Sequence, residues 1–333
     1  MDAVLAGASP SQIRTPPEFA INSYNPKQSL LPYREPAMRS HFLSWPLLIL
    51  AVPCLSARGQ DKNITIAKLK ETAADAMKKS EVKDANLAET DNLIFASTLP
   101  EAKAKSVADS LQKTYLVAAK ALKFEDAEVK GFRAVVYAFG DVDQFRQFQR
   151  AVLKTRPDPD SFAIADVKRD VPFLAITARR GEKAPNFEVM AGNEICKALL
   201  SKKGGNAKIT EWMKDGFARA VQMRSNPASV GTDRSAVSRI APRLAKTAKG
   251  SSVVDKAWSG TGKDKDLVAA SLMDFLTFGA GAEKLSNILN GLIPGDGGTD
   301  PTFGDALKAS DWMLEDLDRA WRDWLAKGAP ANK

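Results

Sequence analysis

Histidine occurs once in the 333 residues and cysteine twice, and both scarcities exclude chemistry. The single histidine, His41, lies in an early stretch read below as a leader, and so does Cys54. Downstream of that stretch no imidazole remains. A Ser-His-Asp triad, a Cys-His pair and a histidine-ligated metal centre are therefore unavailable. Cys196 is left as the sole thiol, which excludes an intramolecular disulfide, so the fold must rest on packing alone. An uninterrupted apolar run of the roughly 20 residues a membrane-spanning helix needs is also lacking.

Residues 1–37 are rich in proline and polar residues and show no apolar periodicity, so they are expected to be a disordered or misannotated extension. From Met38 the chain has a basic start (Arg39), an apolar stretch over Phe42–Leu55 broken by Pro46 and Pro53, then small residues. This is the pattern of an export signal over 38–59, with cleavage after Gly59 or Ala57. It predicts a secreted or periplasmic protein without a stable membrane span after cleavage.

The net charge is +8. Residues 1–59 hold five Lys/Arg and three Asp/Glu, so the remainder carries 43 minus 37, or +6. Between Ser201 and Lys265 there are 14 Lys/Arg against five Asp/Glu. Solvated helix faces account for most such excesses, and an anionic envelope polymer is the partner class it would attract. Nucleic acid is not expected for an exported chain.

Hydrophobic periodicity divides the rest. Residues 60–86 form a linker with a short amphipathic helix within Lys62–Lys79, and Ala88–Ser97 is an extended run closed by Pro100 at a helix start. Leu111, Tyr115, Ala118, Ala119 and Leu122 then make a helical stripe suited to lie on a sheet. Phe132–Phe139 reads as a buried strand, Asp141 or Asp143 caps a helix, and Phe162–Val167 with Phe173–Ala178 forms a strand pair. From Phe187 the pattern is helical, near 188–201, 209–224, 234–248, 266–278, 281–291 and 310–326. The Gly-rich stretch 292–304 lacks the Gly-Lys-Ser/Thr of a phosphate loop and is expected to be a solvent loop. The fold class is α+β: a small mixed-sheet lobe with helices over 87–186, then an all-helical lobe over 187–330.

FEVMAGNEICKALL (187–200) followed by ITEWMKDGFARAV (209–221) resembles the active-site helices of gluzincin zinc peptidases, the peptidase MA-like group. There, His-Glu-x-x-His on one helix and a Glu in a Trp-Leu-x-Glu-Gly-Phe/Leu-Ala segment on the next hold zinc. Residues four apart share a helix face, so both imidazoles reach one ion. The element order ahead of the site and the closing Trp-x-x-Trp-Leu (321–325) extend the likeness over about residues 87–326.

The resemblance places Asn193 at the first histidine, Glu194 at the catalytic glutamate, Lys197 at the second histidine and Asp215 at the third ligand. An amide is a poor zinc ligand and a protonated lysine repels a cation. Neither metal nor cofactor is expected, and these four residues form a vestigial site. The Lys197 ammonium is read as taking the metal's place between the two carboxylates. The resemblance thus implies a noncatalytic module binding a peptide or an envelope polymer. A metal-independent hydrolase using Glu194 and Asp215 is the enzyme alternative, and a structural envelope protein the third. Trp212, Phe217, Ala218, Trp321, Trp324 and Cys196 are read as core.

Overall fold

The computed structural model describes residues 65–167, 169, 171–178, 186–226, 263–295 and 299–329. The expected extension over 1–37, the leader over 38–59 and the helix over 234–248 lie outside them.

Thr65 accepts a bond from the Lys68 amide and starts α1 (Ile66–Lys79). Among the described residues five strands follow in one sheet: β1 (Asn86–Glu89), β2 (Leu93–Ser97), β3 (Ala134–Phe139), β4 (Ala163–Asp166) and β5 (Phe173–Thr177). Their order is β1-β2-β3-β5-β4. The three central strands run parallel, while β1 and β4 close the edges antiparallel. A mixed sheet and the β4–β5 pair agree with the expectation.

One extended run differs. The stretch 88–97 is not one run but a hairpin, turned at Thr90-Asp91-Asn92, with Leu87 opposite Ala96. Polar turn residues break the extended pattern, and α2 (Glu101–Ala121) holds the turn. Gln112 on that helix accepts a bond from Thr90 Oγ1 (2.9 Å) and donates one to Asn92 Oδ1 (2.8 Å).

Successive strand residues face opposite sides, and the central strands bury both. Leu93, Phe95, Val136, Ala138, Leu174 and Ile176 face α2 and the later helices. Ile94, Val135, Tyr137, Phe139, Phe173 and Ala175 face the other way, onto Leu69, Ala73 and Met77 of α1 and onto Phe145 and Phe148 of α4 (Val142–Phe148). A core on both faces explains why these strands read as continuous apolar runs. Helix α1 thus packs directly on the second face of the sheet. The short α3 (Asp126–Gly131), which periodicity missed, is fixed by a capping box between Glu125 and Glu128.

The helical half comprises α5 (Phe187–Gly204), α6 (Glu211–Ser225), α7 (Lys263–Phe278), α8 (Leu285–Gly291), α9 (Phe303–Lys308) and α10 (Leu314–Ala326). One apolar cluster runs from the sheet through α2, α5, α6 and α7 to Trp321 and Trp324 of α10. The sheet and the helices on this side therefore share a core.

At Gly216 a Cβ would lie 2.6 Å from the carbonyl oxygen of Ala269, so only glycine permits the close crossing of α6 and α7. The helix expected over 310–326 begins later, because Asp311 adopts a left-handed φ of 57° and reverses the chain between α9 and α10. The stretch 292–304 is anchored at both ends. Leu292 is fully buried and its carbonyl accepts from the Lys208 amide (2.8 Å), while Phe303 stacks edge-on against Trp212 at 5.1 Å.

Candidate functional site

The Asn186 side chain accepts from the Val189 amide and sets the first turn of α5. Four residues apart on that helix, Asn193 and Lys197 share a face, with Glu194 beside Lys197 and Asp215 opposite on α6. The Lys197 ammonium joins both carboxylates: Nζ lies 3.1 Å from Glu194 Oε1 and 2.7 Å from Asp215 Oδ1. Glu194 and Lys197 are about a quarter exposed, at 24% and 25%, whereas Asp215 is 60% exposed. The bridge thus sits at the rim rather than deep between the helices.

Burial alone would lower the Lys197 pKa. The hydrogen bond that the ammonium donates to Asp215 and the charges of Glu194 and Asp215 outweigh it, and the group stands above the ordinary lysine value. The ammonium is protonated at neutral pH and has no lone pair to offer a metal.

Asn193 and Asp215 also line a cleft of about 230 Å³ together with Glu211, Trp212, Arg219 and Asp266. It lies between α5, α6 and the start of α7. Its walls carry both charge signs beside one indole, and Glu211 is itself paired with Lys214 at 2.7 Å. Among the described residues, no three His, Cys, Asp or Glu side chains converge. The chemistry of the set Asn193, Lys197 and Asp215 does not fit zinc: one neutral amide, one cation and one carboxylate already bonded to that cation.

Cys196 is fully buried within the shared core. Burial, reinforced by the Glu194 charge, pushes its thiol far above the ordinary range, which makes it a poor nucleophile. Trp212, Phe217 and Ala218 are buried, as their helical spacing suggested.

Sequence reasoning missed the polar joints that hold α5, α6 and α7 in place. Arg224 binds Asp274 through two bonds, Nε to Oδ1 at 3.0 Å and Nη2 to Oδ2 at 2.9 Å, with its guanidinium over the Phe278 ring. Gln222 donates to the Val189 carbonyl (3.1 Å) and lies directly over Gly192, where a Cβ would collide with it. Glu188 accepts from both Ser110 and Asn226, tying α5 to α2. The pairs are 33 to 78 residues apart, far beyond local periodicity. The one local signal was a glycine inside each of two otherwise helical segments, Gly192 and Gly216.

No protein-family model matches the chain, and no curated protein sequence matches it. Among the described residues no helix is long and apolar enough to cross a membrane.

Proposed function

We propose that the chain is an exported, noncatalytic member of the gluzincin class, a pseudo-metallopeptidase with a zincin-like two-lobe arrangement. Its role is to bind a peptide or an anionic envelope polymer in the cleft beside α5 and α6. The observation that carries this reading is the position of Lys197. An ammonium bonded to Glu194 and Asp215 stands where the resemblance calls for a metal, so the two carboxylates are bridged by a side-chain cation. The cleft with Asn193, Trp212 and Arg219 on its walls supplies the surface for a ligand, and the leader over 38–59 supports export.

Restoring the ligands tests the scaffold. A variant carrying Asn193→His, Lys197→His and Asp215→Glu is expected to bind one zinc per chain, measured on the folded protein by metal analysis after dialysis. The unaltered protein is expected to bind none and to cleave no peptide. A folded triple variant without zinc would refute the gluzincin scaffold. Stoichiometric zinc in the unaltered protein, lost to a chelator together with proteolysis, would refute the noncatalytic role.

A further inference from the structure

Across the sheet from α5 and α6, the second apolar face holds a pocket of about 280 Å³. Three rings build its wall. Tyr137 on β3 meets Phe148 of α4 at 4.9 Å and Phe173 on β5 at 6.4 Å, and Phe148 meets Phe173 at 5.9 Å. Val152 closes one side from a π-helical turn, Gln149–Leu153, that continues α4 and ends on Lys154 with a left-handed φ of 58°. A π turn inserts a residue into a helix and re-aims its side chains, and such turns recur at functional sites.

Two polar features face this apolar wall. Buried tyrosines ordinarily find a partner for the hydroxyl. Tyr115 donates to the Val129 carbonyl at 3.0 Å, whereas the Tyr137 hydroxyl, on a residue 3% exposed, makes no comparable bond to a described residue and feels the charge of Asp75 on α1. At the mouth, the Arg169 guanidinium lies 5.2 Å over the Phe173 ring and uses Nε for Asp166 (3.2 Å). Its side chain is 45% exposed, which leaves the other N–H groups open at the mouth. Among the described residues on the pocket wall, Arg169 and Tyr137 are the ionisable side chains.

We propose that this pocket binds a small carboxylic acid with an aromatic or short acyl body. The body lies against Tyr137, Phe148 and Phe173. The carboxylate accepts from the Arg169 guanidinium and from the Tyr137 hydroxyl. A volume of about 280 Å³ suits one ring or a short chain, given that an apolar cavity of about 150 Å³ takes benzene. This site is independent of the vestigial metal site, because the sheet separates them.

The test uses the full chain with phenylacetate, hexanoate and, as a neutral control, benzyl alcohol. Binding is read by calorimetry and by amide shifts over residues 148–153. At least one acid is expected to saturate the site at about millimolar concentration, roughly ten-fold more tightly than benzyl alcohol. Tyr137→Phe and Arg169→Gln are each expected to weaken that acid about five-fold or more while the melting temperature without ligand stays unchanged. Absence of saturation by both acids, equal affinity for acid and alcohol, or undiminished affinity in either variant would overturn the proposal.

Discussion

Replacing Lys197 by methionine keeps the aliphatic stem and removes only the ammonium. Two charge-assisted bonds are lost, at 3.1 Å to Glu194 and 2.7 Å to Asp215. A hydrogen bond to a charged group contributes about 1.5–3 kcal/mol when sheltered and an exposed ion pair about 0–1 kcal/mol. Glu194 and Lys197 are partly sheltered, whereas Asp215 at 60% exposure is screened by water. The net loss is therefore expected near 1–2 kcal/mol, or a fall of about 3–6 °C in melting temperature for a domain this size. Chemical denaturation with an unchanged m-value measures it.

The pH dependence has a definite sign. A lysine whose folded-state pKa is raised contributes stability that is complete below its unfolded value of about 10.4. That contribution fades only as pH rises through the still higher folded value. The difference between wild type and Lys197→Met should then be constant between about pH 7 and 9. It should shrink in about 1 M salt, where the screening length is near 3 Å. Adding Glu194→Gln to Lys197→Met should cost less than the two single losses summed, because the pair is counted once. A loss under about 0.3 kcal/mol, within the noise of an ordinary surface change, would show that the bridge holds nothing together and would remove the basis for reading Lys197 as a metal substitute.

Three further outcomes test the packing around the site. Gly216→Ala should cost about 1–3 kcal/mol, since its Cβ would meet the Ala269 carbonyl oxygen at 2.6 Å, whereas Gly131→Ala, with open space around it, should be neutral or stabilising in the same melts. Asp274→Asn should cost about 3 kcal/mol or more by denaturation, because Arg224 and Asp274 are only 21% and 12% exposed and the guanidinium would lose its charge partner. Tyr115→Phe should cost about 1 kcal/mol or less in the same assay, because Asn92 still donates to the Val129 carbonyl at 2.7 Å after the tyrosine hydroxyl is gone.

Most of the fold was legible where burial is one-sided or complete over a long run. The stripe Leu111, Tyr115, Ala118, Ala119, Leu122 is buried throughout, and the apolar runs of β3 and β5 are the doubly covered centre of the sheet. Boundaries set by single residues were not legible. Asp311 ends one helix and admits another through a backbone angle that periodicity does not encode, and Thr90-Asp91-Asn92 turned a run that read as one strand. At the site, Lys197 was placed between Glu194 and Asp215 by the resemblance, and helix spacing alone paired it only with Glu194. Its rim position was not legible, because exposure depends on how α6 crosses α5, which Gln222 and Gly192 decide at a distance of 30 residues along the chain.

Two kinds of residue make up the segments that resemble the peptidase helices, and the structure separates them by contact. Gly192 and Gly216 touch neighbouring elements so closely that a methyl group would collide, while Trp212, Phe217 and Ala218 are core. These are the positions that agree with packing demands. Asn193, Lys197 and Asp215, which depart from the metal-binding types, stand instead on the wall or rim of the cleft. Packing and ligand chemistry are thus carried by different side chains on the same two helices. Substitutions confined to the rim therefore leave the crossing of α5, α6 and α7 intact, and the three-residue restoration can report on metal binding without first having to survive a repacked core.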